Sequence, residues 1–503
     1  MEAFLQGLSL ILDPFNIMLI FFGVLVGVTI GALPGLSSPM AVALLLPFTV
    51  GMEPIPAIAM LAALYCAGTF GGSITAILIN APGAPPAVAT AFDGYPMAKR
   101  GEAGRALGLA AISSVIGGIF SLIVFLIATP MLAKLATEFR PPDYFALSVF
   151  ALSMLASISG KSSIRNLISG AAGVLVGTIG IHLTTAVERF TFGFSELTDG
   201  IHFVPVLIGL FAMGELLTQS TMANVALERI SSVVIKLPSM DDLRKVRGTI
   251  LRSCGIGTFI GILPAEGSTV AAIMGYNEAK RFSKNKEEFG KGAIEGIAGP
   301  EAANNAAAGG AMVPTLALGI PGSGTTAIIL AALIMHGFRP GPYLMNETPH
   351  FIYAIFIAML LANFMFLGVG LAGAKIFSRI TMIPRTLLWP SVFVFSVIGA
   401  YSGSSSLFDV GVMLTAGIVG FVMLRHGFGP APFVMGLILG KLVEESLSQS
   451  MIIFDNNWLR FFDRPFAVLF FALTFLGLFW GQFVRAGGWV AGRIRGAQME
   501  RGD

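Results

Sequence analysis

Two apolar runs in this chain are broken by proline and glycine, and the same pattern of breaks occurs twice. The first copy reads Gly31-Ala32-Leu33-Pro34-Gly35-Leu36-Ser37, then Gly71-Gly72-Ser73, then Asn80-Ala81-Pro82-Gly83. The second reads Gly261-Ile262-Leu263-Pro264-Ala265-Glu266-Gly267-Ser268, then Gly309-Gly310, then Gly319-Ile320-Pro321-Gly322-Ser323-Gly324. Proline removes a backbone donor and clashes with the preceding turn, so each break frees polar backbone inside an apolar stretch. In a bilayer such backbone must be buried in protein or line a polar cavity. Broken helices at corresponding places in two halves point to the binding site of a transporter.

Composition supports the bilayer. The chain of 503 residues is 55% hydrophobic and 12% charged, against about 25% charged in soluble domains. Runs at 106–131, 201–217 and 466–484 have the length and apolarity of membrane helices, which need about 20 residues. No basic patch is interleaved with aromatics, so nucleic acid is not an expected partner. The start, Met1-Glu2-Ala3-Phe4, lacks the positive region of a signal peptide. The two cysteines, Cys66 and Cys254, lie far apart in apolar segments and read as buried free thiols.

Charge distribution gives an expected topology. No Lys or Arg occurs before Lys99. Basic residues then cluster at Lys161/Arg165, from Arg229 to Arg252, from Lys280 to Lys291, at Lys375/Arg379/Arg385 and from Arg485 to Arg501. The positive-inside rule places these in the cytoplasm, with Lys134, Arg140 and Arg189 outside. Only 32 residues separate Gly248 from Lys280, both at basic ends, too few for two spans. A re-entrant hairpin over about 248–280 fits, and the uncharged segment at about 15–48 reads as the same hairpin entering from the other face. Opposite charge at equivalent ends implies an inverted repeat.

The expected fold is therefore an all-α polytopic membrane protein with about 11 crossings. A first repeat core occupies 1–100, with its broken helix at about 57–92, and a second occupies 246–342, with its broken helix at about 292–336. Scaffold helices fill 101–245 and 343–503, the latter ending in a cytoplasmic tail. Four scaffold spans are expected at about 105–131, 144–159, 164–185 and 201–220, and five at about 350–375, 387–402, 408–424, 430–446 and 466–484. An odd number of crossings leaves the N-terminus periplasmic and the C-terminus cytoplasmic.

The breaks carry the candidate site. Gly35, Leu36, Ser37 and Ser38 at the first tip offer unpaired amides and two hydroxyls; helix N-termini attract anions and carbonyl ends attract cations. The plainer alternative is a simple helix-to-helix turn. Asn80, Pro82 and Gly83 form the first break, where Asn80 can donate and accept. Gly267, Ser268 and Thr269 flank the second tip, and Gly322, Ser323, Gly324, Thr325 and Thr326 the second break. Glu266 adds a carboxylate at membrane depth, where acids are costly and usually functional. It can bind Na⁺, carry a proton, pair with a cation, or be merely solvated. Glu301, Asn304 and Asn305 begin the run before the second break and are further candidates for a cation or proton, with helix capping as the alternative.

Enzyme signatures are absent: there is no HExxH, no P-loop and no Cys/His zinc set. Gly72-Ser73 is not part of a GxSxG elbow. Without a Walker motif, an ion gradient is the default energy source.

The chain resembles the large membrane subunit of the tripartite tricarboxylate transporter family from about residue 15 to 480. The resemblance rests on GALPGLSSPMAVALLLP at 31–47, GGSITAILINAPG at 71–83, DGYPMAKRGEAGRAL at 93–107, FGKGAIEGIAGPEAANNAAAGG at 289–310, and 314–326. It implies cation-coupled carboxylate uptake across a bacterial inner membrane, driven by Na⁺ or H⁺, with no other cofactor. The carboxylate would be a tricarboxylate such as citrate, or a related di- or aromatic carboxylate. The resemblance also implies two protein partners, a small membrane subunit and a periplasmic solute-binding protein; a homodimer is left open. The second tip departs from the family's usual Pro-Gly-small-Gly pattern by carrying Ala265 and Glu266, which bears on substrate preference and coupling. The competing readings are a solute channel and a membrane scaffold subunit without transport.

Overall fold

The computed structural model describes residues 2–158, 163–182, 184–221, 237–264, 267–380 and 385–479. Glu266, most of the basic segment from Arg229 and the tail from Arg485 lie outside the described residues. The chain is a multi-pass, all-α membrane protein. The first half holds α1 (Glu2–Ile11), α2 (Pro14–Gly31), α3 (Ser38–Leu45), α4 (Pro54–Ile79), α5 (Ala87–Met97), α6 (Ala103–Ala136), α7 (Pro141–Ile158), α8 (Ser163–Gly177), α9 (Phe203–Leu207) and α10 (Gly214–Thr221). The second holds α11 (Met240–Ile262), α12 (Gly267–Phe282), α13 (Ile294–Leu318), α14 (Gly324–Met335), α15 (Pro342–Glu347), α16 (Pro349–Ile380), α17 (Arg385–Ser402), α18 (Leu407–Arg425), α19 (Pro430–Ile453) and α20 (Pro465–Phe479). Among the described residues, 6 helices are long and apolar enough to cross a membrane.

Helix boundaries follow local chemistry. Asp13 caps α2 by accepting the N–H of Phe15 at 2.9 Å, and Pro14 occupies the first helical position, where its missing donor costs nothing. Helices α4 and α13 both end on a left-handed residue, Asn80 at φ 53° and Gly319 at φ 71°. In each the cap N–H folds back onto a carbonyl five residues earlier, that of Thr75 or Pro314. Glycine and asparagine tolerate this conformation, and proline soon after prevents the helix from resuming.

Two expected spans have different bounds. The span expected over 164–185 stops at Gly177. The Thr178 and Ile179 N–H groups close its end onto the Leu175 and Val176 carbonyls, and a short antiparallel pair, Gly180–Ile181 with Glu188–Arg189, follows, with Gly180 at φ 109°. The span expected over 430–446 continues to Ile453 despite Lys441.

Helix α4 is buried from Ala57 to Ile79 and α13 from Gly296 to Ala317. Both are buried on all sides, as a helix enclosed by others is, and their few polar residues are buried with them. Each packs against the first arm of its own hairpin, α2 on α4 and α11 on α13. Each is also covered by a long helix from the opposite half, α16 on α4 and α6 on α13. Further out, α19 packs on α8 as α18 packs on the 203–221 segment. Exchanging the halves maps this packing onto itself, so the duplication runs beyond the hairpins and broken helices.

The halves run in opposite directions. At one end of the molecule His336, after α14, meets Thr49, after α3, with Nε2 and Oγ1 at 3.3 Å. At the other end Asp93 in α5 meets the loop after α12: its Oδ1 accepts the N–H of Gly290, Gly292 and Ala293, each at 2.8 Å. Hairpin α2–α3 therefore opens at the first end and hairpin α11–α12 at the second. At that second end Arg105, opening α6, grips Asp242, opening α11, with Nε–Oδ2 at 2.9 Å. The guanidinium holds the Asp242 carboxyl well down, at about 2, so this clamp stays ionised throughout the neutral range.

Candidate binding cavity

Both tips and both breaks converge on one cavity of about 500 Å³. Its walls include Gly35, Ser37 and Ser38 from the first tip, and Pro82 and Gly83 from the first break. Ser268 and Thr269 come from the second tip, and Ser323, Gly324 and Thr325 from the second break. These residues sit at or beside the N-termini of α3, α5, α12 and α14. A helix N-terminus carries roughly half a positive charge and tends to leave backbone N–H groups without intrahelical partners; at α5 the Ala87 and Val88 N–H groups already donate to the Ala84 and Pro85 carbonyls, so that terminus contributes its dipole alone. Four of them around one space favour an anion. No Lys, Arg or His is among the described residues lining the cavity.

The central helices contribute the rest. Tyr65 Oη and Ser323 Oγ are 3.3 Å apart, linking α4 to the second break. Asn304, 1% exposed, donates from Nδ2 to the Thr69 carbonyl at 3.2 Å. That carbonyl can only accept, so the amide orientation is fixed. Asn304 Oδ1 is buried without a hydrogen-bond partner.

The other expected site residues stand elsewhere. Asn80 is exposed and closes α4, doing in the first copy what Gly319 does in the second. Leu36 packs in the apolar core. Gly267 lies against the backbone of Gly261, and Gly322 against Ala311. Thr326 and Ser323 form a reciprocal cap: the Ser323 N–H donates to Thr326 Oγ1 at 2.8 Å and the Thr326 N–H to Ser323 Oγ at 3.2 Å. Asn305 Nδ2 turns back to the Glu301 carbonyl at 3.4 Å.

Glu301 is fully buried behind the cavity, where α13 meets α5 and α6. Ser114 Oγ donates to its Oε2 at 2.9 Å, and Thr90 Oγ1 donates to its Oε1. Among the described residues it has hydroxyl donors and no cationic partner.

Sequence reasoning missed Tyr65, Thr69, Phe211 and Glu215, all of which line the cavity. The signal for Glu215 was present, since it is an acid inside an expected span. Tyr65 and Thr69 lie on a smooth apolar run with nothing to set them apart.

Close backbone approach holds the walls in place. A Cβ on Gly83 would overlap the Gly31 carbonyl oxygen and meet Gly72 Cα at 3.0 Å. Gly83→Val is expected to destabilise the protein by several kcal/mol, since two backbones cannot give way. The check is the yield of monodisperse protein after extraction; a wild-type yield and melting temperature would contradict the packing.

A profile of the tripartite tricarboxylate transporter TctA family matches residues 17–435. An Agrobacterium vitis protein, an uncharacterized 52.8 kDa protein in the TAR-I ttuC' 3' region, is 39% identical over 470 residues, covering 93% of each chain. A second from the same organism, an uncharacterized protein in the TAR-II ttuC' 3' region, is 39% identical over 222 residues, or 44% of this chain and 90% of the relative. No solved structure matches.

Proposed function

This chain belongs to the tripartite tricarboxylate transporter TctA family, and from that membership we propose that it is the translocating subunit of a secondary carboxylate carrier. The single observation that best supports the reading is the convergence of four helix N-termini on one cavity without a fixed cation. Such a cavity attracts carboxylates through amides and hydroxyls and leaves their charge for a coupling ion to neutralise. Na⁺ or H⁺ is that ion, taken by the oxygens of Glu301, Asn304 and Asn305, with Glu266 a further candidate. The hairpins with the broken helices form a moving core, held in a scaffold of the remaining helices; both hairpins are re-entrant. The chain is a carrier and not an enzyme. A small membrane subunit and a periplasmic binding protein complete the system, and the binding protein delivers the substrate.

The membrane is the bacterial inner membrane, with the basic end cytoplasmic. That end carries Lys99, Arg100, Arg244, Lys284 and Lys291, as the positive-inside rule requires. From there α6, 34 residues long, climbs roughly 50 Å, which puts Glu138 on the periplasmic side. Cysteine introduced at Lys284 is expected to react with an impermeant maleimide only in inverted vesicles, and cysteine at Glu138 only in intact spheroplasts. The reverse pattern would invert the orientation.

Uptake of a labelled carboxylate panel by cells expressing this chain with its small subunit tests the function. Saturable uptake that needs the binding protein and an ion gradient is expected. Flux that does not saturate would favour a channel, and no uptake with all three proteins in place a scaffold.

A further inference from the structure

Glu215 is the one carboxyl side chain among the described residues lining the cavity. It projects from α10, just after the π-helical turn Ile208–Met213. Turns of that kind recur at functional sites because they re-aim the residues around them. Phe211 from the same turn lines the same wall. Glu215 is half-buried and accepts one bond, from Gln219 Nε2 to Oε1 at 2.9 Å. Gln219 in turn stands directly against Gly35 of the first tip, its amide where a Cβ on that residue would lie.

A carboxylate on the wall of a carboxylate site needs a reason. It repels an anion brought close to it, and no fixed cation in the cavity offsets this. It also offers lone pairs that one glutamine does not fill. Asn304 Oδ1, buried and unpartnered on the same cavity, is a second acceptor without a donor. The cavity thus has two kinds of wall. Helix N-termini supply donors for a carboxylate, while Glu215 and Asn304 call for a donor on the ligand. A hydroxyl group is such a donor; a third carboxylate is not.

We propose that Glu215 sets substrate specificity by accepting a substrate hydroxyl, so that the cavity selects hydroxylated mono- and dicarboxylates over tricarboxylates. The proposal rests on the carrier reading above and narrows it. The substrate's carboxylate lies at the helix N-termini and its hydroxyl at Glu215. A coupling cation held by Asn304 leaves Glu215 as the free acceptor. Tricarboxylates are disfavoured because their extra charge would face Glu215 across a space with no compensating side chain.

The test uses pairs of acids that differ by one hydroxyl: malate with succinate, and citrate with tricarballylate. Transport is measured in proteoliposomes holding the full chain with its small subunit and binding protein. Wild type is expected to prefer malate over succinate at least ~10-fold, since a site built for a hydroxyl rejects the analogue lacking it. It is also expected to prefer malate over citrate. Glu215→Met removes the acceptor and should bring the malate-to-succinate ratio close to one. Glu215→Gln keeps an acceptor but removes the charge; it should retain most of the hydroxyl preference and raise citrate transport relative to malate by about 10-fold. Wild type favouring succinate or citrate would overturn the proposal, as would ratios unchanged in Glu215→Met. If none of the four acids moves through wild type while another carboxylate of the wider panel does, the carrier stands and this proposal falls; if no carboxylate moves, the carrier reading itself fails. If the four acids move with ratios that neither substitution alters, the carrier stands and the role of Glu215 falls. Where one variant does not reach the membrane, the other carries the test, and a wild-type preference for succinate or citrate still overturns the proposal.

Discussion

Asp93→Ala is expected to cost several kcal/mol of stability. The carboxylate is fully buried. Its Oδ1 accepts three backbone N–H bonds, and its Oδ2 accepts the Tyr276 hydroxyl at 3.0 Å. Alanine leaves the buried Ala293 N–H without its acceptor, at about 1–3 kcal/mol, and the half-buried Gly292 N–H and Tyr276 hydroxyl and the exposed Gly290 N–H, which water can reach, at less. Together the loss is a large part of the stability a folded protein has. The clamp also joins the two halves, since α5 belongs to the first and the α12–α13 loop to the second. Its loss therefore frees the end of one broken helix from the other repeat. Protein yield, melting temperature in detergent and protease sensitivity at 286–293 are the readouts. Asp93→Asn retains a carbonyl oxygen and is expected to fall between alanine and wild type. An alanine variant that melts with wild type would show that the clamp carries no stability.

Glu301→Ala is expected to reduce uptake at least ~100-fold while the protein still reaches the membrane. The side chain is fully buried and held by hydroxyls alone, an arrangement that suits a group exchanging a proton or a cation. Loss of function without loss of folding separates coupling from structure. Glu301→Gln discriminates further. A glutamine mimics the protonated acid, so proton coupling predicts residual exchange that no longer responds to pH. A sodium ligand predicts a raised sodium requirement instead. Wild-type uptake with unchanged ion dependence in both variants would remove Glu301 from the mechanism.

Asp93 and Glu301 were unequally visible in the sequence. Glu301 stood out as an acid at the head of an apolar run. Asp93 looked like part of a cytoplasmic turn, although it opens one of the family stretches, 93–107, and its donors lie in another, 289–310. The contact joins residues about 200 positions apart, and nothing local announces it. Asn80 is the opposite case. Its amide suggested a ligand, yet its position is that of a cap, because the left-handed turn that ends α4 admits little besides glycine and asparagine. Glu215 was visible as an acid inside an expected span, but its place on the cavity was not. It lies outside the duplicated breaks, and a π-helical turn that no short motif marks carries it to the cavity.

The sequence by itself determined where the helices break, that they break twice in the same way, and which stretches belong to lipid. Those properties are set within a few residues: proline lacks a donor, glycine accepts positive φ, and long apolar runs avoid water. Tertiary structure alone decided which side chains of the broken elements face one another. The rotation of a helix about its axis, and the partner it meets, are fixed by packing against residues distant in the sequence. For that reason Ser37 and Ser323 share a cavity with Tyr65 and Glu215, while Leu36 beside them is buried in the core.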